Sequence, residues 1–362
     1  HTLEPGMRWL AIVALATAAS ALPEMFLGRR TRGLSREAKI PSELLVAGNY
    51  GKATVSQKLD HFDVANEKTW DQRYFFNHEY KKPDSNVNVL YLDGEQWDSE
   101  SVIINDLKHA YVYYAEQLGA DLYTLEHRFY GRSHPTTDSS VENLKYLSSR
   151  QAVEDIAEFI RQINKQKGSE QRWIVIGGSY AGALAAWIRL MHPELVAGSV
   201  ASSGPVLAQM DFYGYLQTVD EDFKNQGGLC YQQMKQGFKK AQDLLQSEEG
   251  RATLSDMFKI TPPFSAYDEV TPYDIDTFFS YLTYPFEASA QYNDPPPATL
   301  CEDFTVNGAA YDPLLAFTTI VDDNMNANFT QSVEELAGVE FKGDISMRLW
   351  FYQTCTEFGY FQ

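Results

Sequence analysis

Six residues, Gly177-Gly178-Ser179-Tyr180-Ala181-Gly182, constrain this chain more than any other stretch. The apolar run Trp173-Ile174-Val175-Ile176 precedes them, and a second run, Ala183 to Leu190, follows. Four apolar residues stopped by glycine predict a buried strand, and the longer run predicts a buried helix. A serine on a strand-to-helix turn with small neighbours is the arrangement called a nucleophile elbow. Large side chains beside Ser179 would clash in so tight a turn, while the helix N-terminus favours negative charge on an attacked carbonyl. The usual form is G-x-S-x-G, and here Ala181 stands at the second glycine. Two other readings are a glycine-rich turn packing helix on sheet, and a phosphate loop. No Gly-Lys-Ser or Gly-Lys-Thr follows, which argues against the phosphate loop.

The flanking segments alternate. Val55 to Phe62 and Trp70 to Phe76 read as strands, and Val87 to Leu92 as a third that runs into Asp93-Gly94-Glu95-Gln96. Apolar residues from Ile103 to Leu118 recur at helical spacing, and Gly119 suits the position just past the helix. Leu122 to Leu125 returns to strand. Ser148-Ser149-Arg150-Gln151 has the form of a capping box, and Val153, Ile156, Ala157, Ile160 and Ile163 make one apolar stripe behind it. Val196 to Ser202 closes the series. Strand–helix alternation at this spacing predicts a mostly parallel sheet with helices on both faces. After Pro205 the texture becomes charged, aromatic and helix-like, with prolines such as Pro262-Pro263, Pro272, Pro285 and Pro295-Pro296-Pro297 punctuating short segments. The expected organisation is a core over 51–205, an inserted, mainly helical cap over 206–345, and a return to the core over 346–362.

The net charge of −19 argues against nucleic acid or an anionic membrane as partner. It is unevenly placed: fourteen Asp and Glu and no Lys or Arg lie between Ile260 and Phe341. That segment is either a solubilising surface for an acidic medium or an overhang that draws cationic peptides to the site. Residues 7–21 read as an export signal, with Met7-Arg8, an apolar centre and the small-x-small motif Ala16-Thr17-Ala18. Residues 22–50 then form a lead-in or propeptide. No apolar run is long enough to span a bilayer. Asn328-Phe329-Thr330 is an N-glycosylation sequon, which agrees with export. Three cysteines occur, Cys230, Cys301 and Cys355; their spacing fits no zinc site, and Cys230–Cys301 is the preferred bridge.

Several blocks together resemble the prolyl-specific serine peptidases, the family of lysosomal Pro-Xaa carboxypeptidase, dipeptidyl peptidase II and fungal acid prolyl endopeptidases. They are Leu59-Asp60-His61-Phe62, Gln72-Arg73-Tyr74-Phe75, Leu125 to Gly131, Tyr146 to Ala152, Gly177 to Tyr180, Ala201-Ser202-Ser203-Gly204-Pro205 and Tyr352 to Glu357. The resemblance implies an α/β-hydrolase fold with a helical lid, no cofactor or metal, and peptide or protein substrates cleaved after proline at acidic pH. It also implies a secreted, lysosomal or vacuolar location. It places the nucleophile at Ser179 and one backbone oxyanion donor at Tyr180. The second donor is expected near Gly94 and Glu95, where relatives carry a glycine-rich Gly-x-Glu-Gly; Asp93 and Gln96 depart from that form. Glu95 matches the family's glutamate and reads either as a ligand for a substrate amine or as an ordinary hydrogen-bonding residue.

Serine acyl transfer needs a base and an acid that orients it, in the order Ser, Asp or Glu, His on this fold. The seven histidines are at 1, 61, 78, 109, 127, 134 and 192, so none lies far beyond Ser179. His192 reads as a helix C-cap, and His127 and His134 as structural hydrogen-bonding residues. In the family the acid and base come from a C-terminal stretch that has no counterpart here. The expectation is a truncated form of an active enzyme that hydrolyses poorly by itself. A lipase or esterase on the same fold, or a non-catalytic binding protein, stays open.

Overall fold

The computed structural model describes residues 49–92, 107, 109–306, 312–321 and 325–361. The signal region, most of the lead-in and the Gly94–Gln96 loop lie outside them. The described chain divides into two compact units. One comprises 49–208 with 339–358, and the other 209–338 with 359–361.

The first unit is built on a six-stranded sheet in the order β1-β2-β4-β3-β5-β6. These strands are β1 Tyr50–Lys58, β2 Thr69–Asn77, β3 Val87–Leu92, β4 Asp121–Leu125, β5 Arg172–Gly178 and β6 Val196–Ser202. β4, β3, β5 and β6 run parallel, while β2 is antiparallel to both β1 and β4. The parallel strands need helical crossovers, and the chain supplies them as α1 Ala110–Leu118, α2 Ser149–Lys167 and α3 Ser179–Met191. β4 is buried at all five positions, as expected of a strand covered on both faces. α2 buries Val153, Ile156, Ala157, Ile160 and Ile163, one stripe against the sheet.

Two local readings need correcting. β1 begins before Val55 and stops at Lys58. Asp60 then turns the chain, its Oδ1 accepting from the Phe62 N–H (2.9 Å) and the Asp63 N–H (3.3 Å), so residues 59–62 leave the ladder. At the start of α2, Ser148 Oγ accepts from the Gln151 N–H at 3.2 Å, but the reciprocal half of the capping box is missing. Gln151 instead donates to Asp60 Oδ1 (2.6 Å) and accepts from the His61 N–H (2.9 Å). A long-range partner has replaced the local one.

The second unit is helical. α4 Gly214–Gln226, α5 Gly228–Leu244, α6 Glu248–Phe258, α7 Pro272–Tyr292, α8 Pro297–Val306, α9 Pro313–Phe317 and α10 Phe329–Leu336 pack around an aromatic core. Phe223, Phe286, Phe304 and Phe317 are fully buried there and meet edge to face, at centroid distances such as 5.1 Å for Phe223–Phe286 and for Phe304–Phe317. A short parallel pair, β7 Gln209–Asp211 with β8 Gly359–Phe361, joins the two ends of this unit. In the first unit the chain between them forms α11, Ser346–Gln353.

Proline is a weaker breaker here than its sequence suggests. α7 runs 21 residues through Pro285. It starts firmly, with Pro272 in the first turn and a capping box between Thr271 and Asp274. Past that start the buried stripe Phe278, Leu282 and Phe286 outweighs the hydrogen bond that Pro285 cannot make. Within this unit Cys230 and Cys301 are joined by a disulfide, linking α5 to α8 across 71 residues. Closing so long a loop restricts the unfolded chain. The double variant Cys230→Ala/Cys301→Ala should lose about 2–4 kcal/mol of stability in chemical denaturation.

Candidate active site

The last residue of β5 is Gly178, and Ser179 opens α3 with φ +56°, in the left-handed region that L residues seldom occupy. Ser179 and Gly178 are exposed, whereas Tyr180 to Ala185 are buried. The turn is tight because backbone meets backbone. A Cβ on Gly177 would lie 2.1 Å from the Ala181 carbonyl oxygen, and one on Gly182 would lie 2.7 Å from that of Ser202. One on Gly204 would lie 2.8 Å from the Gly182 carbonyl carbon. The Ala181 methyl is buried without such a conflict, so the close approach at this end of the turn belongs to Gly182, one residue later.

Sheet topology marks the same place. From β3 the chain moves outward to β4 and then crosses back to β5, so strand order reverses between β3 and β5. Open α/β sheets bind their ligands at the carboxyl ends of the strands flanking such a reversal. Strain gathers along that edge as well. Phe129, Ser179 and Ser203 all have positive φ, and each follows the end of a parallel strand, β4, β5 or β6. Backbone held in that region costs about 1–3 kcal/mol and survives only where its surroundings fix it.

Those surroundings are buried polar networks. Arg128, fully buried, donates from Nε and Nη2 to Asp155 at 2.6 and 2.7 Å, and from its other protons to the carbonyls of Leu59, Tyr146 and Lys58. His61 Nε2 shares Asp155 at 2.7 Å. Burial alone would raise the Asp155 carboxyl, but Arg128 and His61 outweigh it and hold it below the usual carboxylate range. A second buried pair, Arg73–Glu126, fastens β2 to the same loop; Ser133 donates to Glu126 Oε2 at 2.6 Å. From the segment after the helical unit, Glu357 accepts from Ser149 Oγ (2.7 Å) and from the Ser149 N–H, holding the start of α2.

The third network touches the elbow. His127 is buried, with Nδ1 2.8 Å from the Arg128 carbonyl oxygen and Nε2 2.9 Å from the Tyr180 hydroxyl. Gln353 reaches that hydroxyl through Nε2 at 3.0 Å, and its Oε1 accepts from Tyr130 at 2.7 Å. Burial pushes the His127 pKa down to about 4, against the raising effect of its bond to the Arg128 carbonyl.

Of the residues singled out from sequence, Ser179 and Tyr180 are adjacent on the turn. The Tyr180 N–H lies in the first turn of α3, where helical N–H groups have no intrahelical acceptor. Gly94 and Glu95 lie outside the described residues. Three further histidines have partners of their own: His78 bonds Asp121 (2.7 Å), His109 stacks beside Tyr111, and His134 stacks on Phe341 at 3.7 Å. His192 occupies the C-cap position of α3, yet its ring bonds Glu154 (3.0 Å) and Glu194 (3.2 Å) rather than helix carbonyls. The Asn328 Oδ1 accepts from the Gln331 N–H as an N-cap, which leaves Nδ2 as the atom a glycan would join. Cys355 is an exposed thiol. Among the described residues no group of His, Cys, Asp and Glu is arranged to hold a metal ion, and no helix is long and apolar enough to cross a membrane. Sequence reasoning missed Gln353 and Gly204 as parts of this site, although both lie in recognisable blocks.

Two measurements probe this geometry. Because alanine keeps the left-handed strain and glycine relieves it, Ser179→Gly should unfold at higher denaturant than Ser179→Ala, by about 1 kcal/mol. His127 titrates near 4 when folded and at its ordinary 6.5 when unfolded, so the unfolded chain takes up the proton first. Its contribution is level above pH 6.5, and stability falls as pH drops from about 6.5 to 4. His127→Gln should flatten that part of the stability–pH curve, measured by denaturation at pH 7 and 4.5.

A Caenorhabditis elegans protein named as a serine protease is 34% identical over 85% of this chain and 61% of its own length. Human lysosomal Pro-X carboxypeptidase is 28% identical over 96% of this chain and 70% of its own. The chain therefore spans between three-fifths and just over two-thirds of these two relatives. Among solved structures, a Mycobacterium smegmatis proline iminopeptidase aligns over 75% of this chain and 76% of its own, with 14% identity and a TM-score of 0.34, too slight a likeness to argue from. Residues 57–362 match the family described as serine carboxypeptidase S28, and the chain belongs to that family.

Proposed function

We propose that Ser179 is the nucleophile of an exported peptidase that cleaves after proline. The observation that carries this reading is the exposed serine at φ +56° between β5 and α3, beside the reversal of strand order. Ser179 Oγ attacks the carbonyl carbon of a proline residue and passes its proton to a base. The Tyr180 N–H, with a second donor near Gly94 and Glu95, stabilises the oxyanion. The amine then leaves with a proton, and water hydrolyses the acyl-enzyme to restore the hydroxyl.

Every described histidine already has a hydrogen-bond or stacking partner, and we assign the base to none of them. Matched over 61% and 70% of their lengths, the two relatives are longer than the stretch they share with this chain. Preference for proline rests on the name of the human relative, Pro-X carboxypeptidase, and an export or lysosomal destination on residues 7–21 together with that name. A lipase or esterase would share the elbow, and a binding protein could keep the fold without the chemistry.

The test combines a fluorophosphonate probe with two substrates, on this chain and on a form extended to the length of its relatives. The extended form should be labelled at Ser179 and should hydrolyse proline-linked chromogenic peptides in preference to nitrophenyl esters, while Ser179→Ala does neither. Preference for the esters would replace the peptidase reading with an esterase. Absence of labelling in the folded extended form would leave only the binding protein.

A further inference from the structure

The network beneath the elbow has a direction that one contact sets. His127 Nδ1 faces a backbone carbonyl, which can only accept, so in the neutral ring Nδ1 carries the proton. Nε2 is then an acceptor, and the Tyr180 hydroxyl must donate to it. The oxygen of that hydroxyl is left to accept from Gln353 Nε2, which turns Gln353 Oε1 toward the Tyr130 O–H. The donor of each of these four hydrogen bonds is thereby assigned. All four side chains are buried, with Gln353 fully inaccessible.

The Tyr180 ring is held on several sides as well. Its centroid lies 5.5 Å from that of His127, 5.8 Å from Trp350 and 5.3 Å from Phe358. This much fixing is spent on the residue after a strained serine, in a first turn that lacks intrahelical bonds to its N–H groups. Turns of that kind fray unless something outside the helix holds them.

We propose that Gln353 and His127 are positioning residues for the Tyr180 N–H. By fixing the Tyr180 side chain from both ends of its hydroxyl, they hold the first turn of α3 where that N–H meets the developing oxyanion. The inference rests on Ser179 being the nucleophile. It also gives the chain after the helical unit a part in the chemistry, because Gln353 is the last residue of α11. The charged groups that act on His127, Arg128 and Asp155, are paired with each other.

Labelling of Ser179 by a fluorophosphonate at several probe concentrations tests this in the extended protein. Tyr180→Phe and Gln353→Met preserve shape and remove the bonds. Each should lower the maximal labelling rate about 10- to 100-fold with little change in the half-saturating concentration, since an oxyanion donor acts in the transition state. His127→Gln, whose amide oxygen can accept from Tyr180, should lose less than His127→Leu, and thermal unfolding would show that all four variants fold. Labelling of Tyr180→Phe and Gln353→Met at the parent rate overturns the positioning role and leaves the nucleophile standing. A parent that is not labelled at Ser179 overturns both.

Discussion

The first turn of α3 lies against the end of β6 with no room for a side chain between them. Gly182 touches the Ser202 carbonyl, Gly204 touches Gly182, and Gly177 closes on Ala181. Backbone packed this closely leaves the intervening residues one conformation, and that conformation puts Ser179 at positive φ. The cost of that conformation falls on Ser179, an exposed residue at the carboxyl end of β5 beside the reversal of strand order. Other features of the first unit brace the segments around it.

They do so with buried polar groups rather than apolar packing alone. Arg128, Asp155, Arg73 and Glu126 are nearly inaccessible. Isolated charges there would be prohibitive, and even a paired set gains little net stability over an apolar core. What such pairs confer is geometry. Arg128 binds one carboxylate and three carbonyls at once, so the end of β1, the middle of α2 and the loop after β4 share a single fixed point. Its guanidinium also lies 5.7 Å from the Trp70 ring, which adds contact without another hydrogen bond. The Tyr180 relay is the uncharged counterpart on the other side of that loop.

The helical unit is organised by different physics. Its interior is built on an edge-to-face lattice of phenylalanines and one disulfide, with a few buried polar groups such as Asp274, Thr277 and Ser289. Such a core accommodates a proline inside a helix and an excess of acidic residues outside it. Its sequence carries composition more clearly than position, since aromatic residues pack in many registers. The sheet unit carries the opposite kind of record, because its buried polar residues bond particular, distant partners. The blocks that gave the family resemblance are those that bond one another: Asp60-His61 with Gln151 and Asp155, Gln72-Arg73 with Glu126, Gln353 with Tyr130 and Tyr180, and Glu357 with Ser149.

Local pattern by itself determined the strand–turn–helix at Ser179, the alternation that makes a parallel sheet, the stripe of α2 and the change of texture after Pro205. Each of these depends on neighbours within a few turns of chain, so periodicity and glycine placement are enough to read them. Tertiary structure decided the rest. Gln151 abandoned its capping role for Asp60, the His192 ring took carboxylates while its N–H capped α3 at Ile188, and Pro285 stayed inside a helix because a buried stripe held it. Gln353 met Tyr180 across 173 residues, and Gly204 met Gly182 across two elements. No sequence period records such meetings, because their energy comes from burial and from partners that only the completed sheet brings within reach.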